Sequence, residues 1–305
     1  MSELGDSNST CTLPSDVVTP FVEKRFFFQK ARYSIEYLYD TYPTRISLSS
    51  LKDVGVDLFT FVERTFITGE QKYPFKRESE PIALLTTKSF DDWWEHQINK
   101  KVRNLIRKAD KARISVYSPK IDSNFVRGAF KIYNETPIRQ GRKYSGYGVS
   151  LTSITERFKN LQNSEVLGAY FGEELVGLLW MVYGDRVARI RSFVSLIKQR
   201  DKAPNNALIA EGVKRCSKRG INFIIYEKMG YLPGLDSFKK QNGFREFVTP
   251  RYYVPLSWKG MLAIKLGIHK EIQYSFSPRM SIVLLSLYNS FSRTIPTSLW
   301  KRIGA

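Results

Sequence analysis

The chain has 305 residues, of which 42% are apolar and 25% are charged. This length favours two domains, each large enough to bury a core, and the composition argues against bulk disorder or a fibrous repeat. The formal net charge of +19 favours an anionic partner such as RNA, a phosphorylated carrier or an acidic membrane surface, with solubility alone as the alternative.

The first twenty residues predict a disordered leader. They are rich in Ser, Thr, Asp and Pro and lack the basic start and apolar core of a secretory signal. No apolar run approaches the roughly 20 residues of a membrane-spanning helix. Cys11 and Cys216 are the only cysteines, and His96 and His269 the only histidines, which argues against a disulfide framework and a metal site. We therefore expect a cytoplasmic, metal-free protein, with peripheral membrane attachment left open.

Residues 21–113 combine strand and helix patterns. Aromatic and β-branched residues predict strands over 26–47, a helix follows over 51–66, and residues 82–85 predict a short buried strand. Ser89 stands at the N-cap position of an amphipathic helix predicted over 90–113. One side of that helix is basic, and either a solvated face or an anion-binding face fits it. The basic stripe consists of Lys100, Arg103, Arg107 and Lys111.

From residue 114 the predicted elements become regular. A strand over 114–117 is followed by a helix that ends before Pro137, a glycine-containing loop over 138–148 and a helix over 151–161. Three strands separated by short turns then predict an antiparallel meander. They cover residues 165–171, 175–183 and 187–196.

The meander leads into a second alternation of helices and strands. A helix is predicted from Asn205 to Gly220, a parallel strand over 221–226, a helix over 235–242 and a last strand or hairpin over 245–256. Residues 257–305 form a basic and apolar extension with a helix over 280–293. The extension either packs on the body of the protein or docks onto an anionic membrane.

The element order over 114–256 resembles the GNAT acyltransferase fold. The Phe238-Lys239 pair ahead of Asn242-Gly243-Phe244 is similar to the ending of these domains. The segment KVRNLIRKADKAR (101–113) and the Thr-Pro-Ile-Arg stretch at 136–139 resemble motifs of FemAB-like aminoacyltransferases and BioF2-like GNAT proteins.

The resemblance implies an α/β protein with a mixed sheet, built of two GNAT-like halves. Residues 21–113 would form the degenerate half, and residues 114–256 the acyltransferase domain. It further implies transfer of an acyl or aminoacyl group from acyl-CoA or aminoacyl-tRNA to an amine acceptor, without a covalent intermediate. A nonenzymatic nucleic-acid-binding or membrane-surface protein on the same scaffold is the alternative.

The phosphate loop departs from the usual GNAT pattern. GNAT proteins present backbone N–H groups of a glycine-rich loop to the pyrophosphate of coenzyme A. Here residues 200–205 read RDKAPN, without glycine. A proline followed by asparagine is common at this place in FemAB-like proteins, whose donor is aminoacyl-tRNA. Asn205 fits either a helix cap or a contact to the carrier. The candidate cofactor-binding residues are Lys198, Lys202, Asn205, Asn206 and Ala207.

We expect the site where the strands over 187–196 and 221–226 diverge, because a crevice there faces strand ends and a helix N-terminus. Glu227 is a candidate base or a solvated carboxylate. Lys239 is a candidate contact to a phosphate or to the reacting carbonyl, or a surface lysine. Backbone N–H groups near the end of the third meander strand could stabilise an oxyanion. The candidate substrate-binding residues, which could instead be solvated or packed, are Arg139, Arg142, Tyr144, Tyr147 and Tyr231.

Overall fold

The computed structural model describes residues 20–42, 48–69, 73–159 and 161–270. The strands are β1 (Phe21–Arg25), β2 (Phe28–Arg32), β3 (Leu58–Val62), β4 (Lys76–Thr86), β5 (Ile114–Tyr117), β6 (Ile138–Arg139), β7 (Arg142–Lys143), β8 (Ser164–Phe171), β9 (Glu174–Tyr183), β10 (Val187–Ser195), β11 (Phe223–Lys228) and β12 (Arg245–Pro255). Ten of them form one mixed sheet in the order β1-β2-β3-β12-β4-β11-β10-β9-β8-β5, and β6 and β7 form a separate hairpin.

The helices connect these strands. They are α1 (Leu48–Asp53), α2 (Thr65–Thr68), α3 (Phe90–Asp92), α4 (Lys100–Lys111), α5 (Ser123–Tyr133), α6 (Leu151–Lys159), α7 (Pro204–Lys218), α8 (Pro233–Gln241) and α9 (Trp258–Lys265). A π-helical turn covers Trp93–Gln97, and a 3-10 helix covers Ile197–Lys202. The predicted helix over 280–293 and all but the last residue of the leader predicted over 1–20 lie outside the described residues.

The predicted antiparallel meander is confirmed as β8, β9 and β10. Strand β9 is almost wholly buried because helices cover both of its faces. On one face, a Cβ at Gly212 of α7 would lie 2.8 Å from the Leu179 side chain, so α7 packs at close range. On the other face, the Phe158 ring of α6 lies 5.2 Å from the Trp180 ring. Cys216 is fully buried in α7, as predicted.

The helix predicted over 51–66 is wrong. Helix α1 ends at Asp53, Gly55 turns with a φ of 78°, and Leu58–Val62 forms strand β3 between β2 and β12. All five residues of β3 are buried, so their apolar run carries no alternation that would separate a strand from a helix. The strands predicted over 26–47 are also displaced, because β1 and β2 turn at Phe26 and Phe27 and residues 33–39 form turns.

The helix predicted over 90–113 is interrupted. Its start is confirmed, since Ser89 Oγ accepts a hydrogen bond from the Asp92 N–H at 3.0 Å. Ile98 is extended, and Asn99 caps α4 by accepting from the Val102 N–H at 3.0 Å. Arg103 closes the break by donating to the carbonyls of Trp94 and Ile98 at 2.8 and 2.9 Å. Arg103 is therefore a structural residue of this junction.

The N-terminal and C-terminal segments share one sheet. Strand β4, from the segment 21–113, pairs with both β11 and β12. The last strand or hairpin, predicted over 245–256, is a single long strand, β12, which also pairs with β3. The mixed α/β architecture is as predicted, while the division into two halves at residue 113 stays a prediction.

Candidate active site

Strands β10 and β11 open a wedge in the middle of the sheet. They pair in parallel over only three positions, from Val187 opposite Phe223 to Arg189 opposite Ile225. Each strand then carries a bulge, between Ile190 and Ser192 in β10 and between Ile225 and Lys228 in β11. Bulges bend strands and redirect side chains. The divergence therefore lies where the sequence predicted the site.

Aromatic side chains line the inner end of the wedge. The Phe193 ring lies 5.7 Å from Tyr226 and 5.8 Å from Phe238, and Phe244 lies 5.7 Å from Tyr226. Phe193 comes from β10, Tyr226 from β11, and Phe238 from α8, so these rings connect the two diverging strands. Tyr226 and Phe244 are buried, and burial strengthens electrostatic interactions at the edge of the wedge.

Glu227 occupies the bulge of β11. Its φ of 53° lies in the left-handed region, which is unfavourable for residues other than glycine and asparagine. Its carboxylate lies 3.5 Å from the Arg189 guanidinium and is about half exposed. Arg189 stacks over the Tyr37 ring at 5.0 Å and donates to the Ser34 carbonyl at 3.1 Å. The carboxylate is thus held at the mouth of the wedge and is open to solvent.

Lys239 is buried in α8, so the surface-lysine alternative is wrong. Only 1% of the residue is exposed. Its Nζ donates to the Lys228 carbonyl at 2.6 Å and lies 4.8 Å from the centre of the Tyr226 ring. Burial lowers the pKa of Lys239 from its ordinary value, and the charges of Asp236 and Glu227 partly offset that effect. Of its three N–H groups, only one makes a hydrogen bond to the described residues.

The Glu135 carboxylate accepts hydrogen bonds from two backbone N–H groups that follow β10. The N–H groups of Ile197 and Lys198 donate to Glu135 at 2.7 and 3.1 Å. Helix α7 begins with Pro204, which has no N–H, and the Asn206 N–H donates to the Ala203 carbonyl at 3.1 Å. This end of the sheet consequently offers few of the donors that a pyrophosphate needs.

The candidate cofactor-binding residues lie around this helix start. Ala203, not Asn205, is the N-cap of α7, and it provides no side-chain cap, so the capping interpretation of Asn205 is wrong. The Asn205 Oδ1 atom is buried and has no hydrogen-bond partner among the described residues. Ala207 lies two residues farther along, in the first turn of α7. Asn206 lies 3.5 Å from the Asn242 side chain. Lys198 pairs with Glu174 at 3.0 Å, and Lys202 stacks over the Phe171 ring.

The segment between α5 and α6 reaches across the wedge. Arg142 of β7 donates to the Tyr231 carbonyl at 3.3 Å, so two candidate substrate-binding residues meet there. Arg139 donates to the carbonyls of Ser195 and Ile132, both at 2.8 Å, and stacks over Tyr144 at 4.9 Å. Tyr147 is exposed. Arg139 and Tyr144 therefore brace the segment, while Arg142, Tyr147 and Tyr231 remain at its surface.

Known proteins were compared with the chain and its fold. No family model and no curated protein matches the sequence. Among solved structures, L-PGS from Bacillus licheniformis has a TM-score of 0.54 at 14% identity, covering 81% of this chain and 85% of that chain. FemX has a TM-score of 0.53 at 10% identity, covering 81% and 85%.

A third solved structure is the C-terminal domain of an Agrobacterium fabrum protein described as a lysylphosphatidylglycerol synthetase. Its TM-score is 0.55 at 10% identity, and the match covers 81% of this chain and 83% of that domain. This chain has the FemAB-like GNAT fold. At such low identities the likeness concerns the fold, and the FemAB-like architecture leaves the donor and the acceptor open.

Sequence reasoning missed three residues of this wedge. Glu135, which occupies the two backbone donors, gave no signal because its partner is more than sixty residues away. Arg157 of α6 and Arg191 of β10 stack over Tyr133 and Trp180. Burial lowers the pKa of Arg191, and the like charges of Arg189 and Arg157 lower it further. Arg157, Arg189 and Arg191 form a cationic group. The alternation of arginines at 189 and 191 was the one available sequence signal for it.

Within the parts of the chain that the structure describes, no group of three or more His, Cys, Asp or Glu side chains is arranged to hold a metal ion. In the same ranges, every helix is too short or too polar to span a lipid bilayer.

Proposed function

We propose that this chain transfers an aminoacyl group from aminoacyl-tRNA to an amine acceptor in the wedge between β10 and β11. The observation that carries the proposal is the contact of Glu135 with the N–H groups of Ile197 and Lys198. A coenzyme A pyrophosphate bound there would have to displace a carboxylate from its donors. An aminoacyl ester carried on RNA does not need these backbone N–H donors, because its phosphates can be bound farther away.

Helix α4 supplies a surface suited to those phosphates. Five cations of α4 form no ion pair with the described residues: Lys100, Lys101, Arg107, Lys108 and Lys111. Helix α4 packs on α7, which begins beside the wedge. No side chain of α4 is a large exposed apolar group, so the face favours a phosphate backbone over the interior of a lipid bilayer.

The reaction joins an amine nitrogen to the ester carbonyl and releases the ribose hydroxyl. The proton leaves the attacking amine and is finally carried by the ribose oxygen, so no covalent enzyme intermediate is needed. We assign proton acceptance to Glu227, which lies at the mouth of the wedge. We assign the oxyanion to the Lys239 N–H groups that make no hydrogen bond to the described residues. One such donor contributes about 3 kcal/mol to transition-state stabilisation.

The cationic group of Arg157, Arg189 and Arg191 suggests that the acceptor carries a negative charge. Burial lowers the pKa of Arg191, and the like charges of Arg189 and Arg157 lower it further. A bound phosphate or carboxylate would relieve this repulsion. Arg142 and Tyr231, which meet across the wedge, would enclose the acceptor. The Agrobacterium fabrum protein that shares this fold is described as a lysylphosphatidylglycerol synthetase. Its described product carries an aminoacyl group, which agrees with aminoacyl transfer.

The test follows a radiolabelled amino acid from total charged tRNA into small amine products, with the full-length protein as catalyst. Separate calorimetric titrations measure acetyl-CoA and charged tRNA at low salt. We expect label transfer and RNA binding without detectable acetyl-CoA binding. Saturable micromolar acetyl-CoA binding, together with no label transfer, would replace this proposal by a CoA-dependent N-acyltransferase. RNA binding with neither transfer nor acetyl-CoA binding would indicate a nonenzymatic binding protein.

Two charge-matched variants locate the RNA contact. The first changes Lys101, Lys108 and Lys111 of α4 to Glu, and the control changes Lys76, Lys120 and Lys131 to Glu. All six lysines are exposed, so both variants lose the same net charge. The α4 variant should lower the salt slope of RNA binding by roughly 2 to 3 units, because each lost phosphate contact removes about 0.7 to 0.9. Equal slopes in the two variants would reject α4 as the contact.

A further inference from the structure

An exposed apolar surface lies at the opposite edge of the sheet from the meander. Nine of the 16 large apolar side chains that are exposed in the described residues fall in three short segments, 21–27, 54 and 258–266. Trp258, Met261 and Leu266 are 69%, 51% and 59% exposed, Val54 is 61% exposed, and Phe27 is 39% exposed. Apolar exposure concentrated in this way indicates an interaction surface.

Hydrogen bonds hold the three segments together. The Asp57 carboxylate accepts from the Gln29 N–H at 2.8 Å and from the Ser257 hydroxyl at 2.5 Å. Gly260 of α9 packs so closely on the chain that an added Cβ would lie 1.9 Å from the Asp57 carbonyl. At the other end of α9, Arg25 donates to the Lys270 carbonyl at 2.9 Å. The apolar residues are therefore presented by a braced platform.

The platform is also strongly basic. Residues 20–32, 48–57 and 257–270 contain eight Lys or Arg residues against three Asp or Glu residues. Of the eight, Lys30 is buried, and Arg25, Arg32 and Lys270 pair with Glu23, Glu36 and Glu78. Lys259 and Lys265 belong to α9 itself and stand beside its exposed apolar side chains. One of the three acidic groups, Glu23, is paired with Arg25 at 3.1 Å. Another, Asp57, is occupied by the hydrogen bonds of the platform.

We infer that this platform, formed by α9, the tip of the β1–β2 hairpin and Val54, docks onto the surface of an anionic lipid bilayer. An amphipathic helix at a membrane interface carries Trp and aliphatic residues toward the acyl boundary and lysines toward the headgroups. Trp258 at one end of α9 and Leu266 just beyond the other match that arrangement. The lysines add attraction to anionic headgroups, which falls off within a Debye length.

A membrane fits this surface better than RNA or a second protein copy. An RNA surface needs cations and stacking aromatics but gains nothing from Met261, Leu262 and Leu266. A self-association surface would bring the excess positive charge of two platforms together, which opposes a dimer. An anionic bilayer satisfies both the apolar residues and the charge. The inference is independent of the aminoacyl transfer proposed above, which uses the wedge and α4.

The test is flotation of the full-length protein with phosphatidylcholine vesicles, with and without phosphatidylglycerol. One variant carries Trp258→Ser and Leu266→Ser. Its control carries Ile138→Ser and Val248→Ser, whose side chains are 59% and 53% exposed on other parts of the protein. We expect binding to the anionic vesicles to fall at least about tenfold in the first variant and to stay unchanged in the control.

A charge variant tests the electrostatic attraction between the platform and the anionic headgroups. Lys259→Glu with Lys265→Glu should lower binding to the phosphatidylglycerol vesicles by about tenfold or more, since each lysine near the surface contributes about 1 kcal/mol. Unfolding midpoints of all variants should equal that of the wild-type protein, because none of the changed side chains is buried.

Three results would overturn the inference. The wild-type protein could fail to float with anionic vesicles. The platform variant and the control could float equally. The wild-type protein could sediment as a dimer that Trp258→Ser and Leu266→Ser dissociate, without any vesicle binding, which would make a second copy the occupant.

Discussion

Arg251 lies at the centre of a buried ionic network next to the wedge, and its replacement by methionine should strongly destabilise the protein. Its guanidinium donates to the Glu80 carboxylate at 2.6 and 2.7 Å and to the Glu36 carboxylate at 3.0 Å through two nitrogens. The exposed fractions of the Arg251, Glu36 and Glu80 side chains are 7%, 0% and 5%. Methionine preserves much of the apolar stem while removing the charge.

The magnitude follows from the two carboxylates that lose their cation. Removing one partner of a buried ion pair costs about 3 to 5 kcal/mol, because the remaining charge is buried without compensation. Two carboxylates place the effect at the upper end of that range. Lys228 stays 3.2 Å from Glu80, and Arg32 stays 3.3 Å from Glu36, which limits the loss. We expect the free energy of unfolding to fall by about 4 kcal/mol at neutral pH.

The effect should depend on pH. Burial alone would raise the pKa of Glu80, but the charges of Arg251 and Lys228 hold it well below its usual range. A depressed folded-state pKa stabilises the protein above the unfolded value of about 4.3 and loses that stabilisation as the pH falls below it. In Arg251→Met, Glu80 keeps only Lys228 as a cationic partner, so its folded-state pKa rises relative to that in the wild-type protein. The stability difference between the two proteins should therefore shrink toward acid pH.

Urea unfolding followed by tryptophan fluorescence measures this difference. Glu80→Gln, placed in both backgrounds, closes a double-mutant cycle and should recover part of the loss in the Arg251→Met protein. A loss below about 1 kcal/mol at neutral pH, the value of an exposed pair, would refute the reasoning. A loss that is unchanged at acid pH would refute its electrostatic part.

Three further predictions concern single side chains. Lys239→Met should lower the transfer rate by about 10² to 10³, and the wild-type rate should fall as the pH rises through a lysine pKa below the ordinary 10.5; a rate profile that is flat in this range would remove Lys239 from the reaction. Asn99→Ala should cost about 1 kcal/mol in urea unfolding, because it removes the cap of α4, and a midpoint equal to that of Lys100→Ala would contradict this role. Gly260→Ala should loosen α9, since the added Cβ meets the Asp57 carbonyl, and limited proteolysis should then cleave after residue 257 earlier than in the wild-type protein.

Several parts of the structure could be predicted because their signals are local. The meander over 164–195 is marked by apolar runs separated by short turns at Gly172 and Gly184. Ser89 could be placed at a helix start because a cap acts on the N–H three residues later. The wedge could be located because it follows from the order of strands that surround it. These features depend on residues within a few positions of one another.

The secondary-structure predictions were wrong where the local residue pattern fits two different structures. The five residues of β3, four of them apolar, fit a helix or a strand, and burial on both faces removed the alternation that would distinguish them. The helix over 90–113 kept its period across Asn99, yet a second cap and the Arg103 hydrogen bonds stabilise a break there. Neither alternative is excluded by the propensity of the residues alone.

The sequence by itself determined the GNAT-like order of elements, the basic faces and the approximate position of Glu227 and Lys239. Only the tertiary structure decided that β4 lies between β11 and β12, that Glu135 takes the donors after β10, and that α9 exposes Trp258. Periodicity and capping act over one or two turns of chain. Strand neighbours, the occupants of backbone donors and the exposed side of a docked helix depend instead on residues far away in the sequence, whose contacts are settled when the whole sheet assembles.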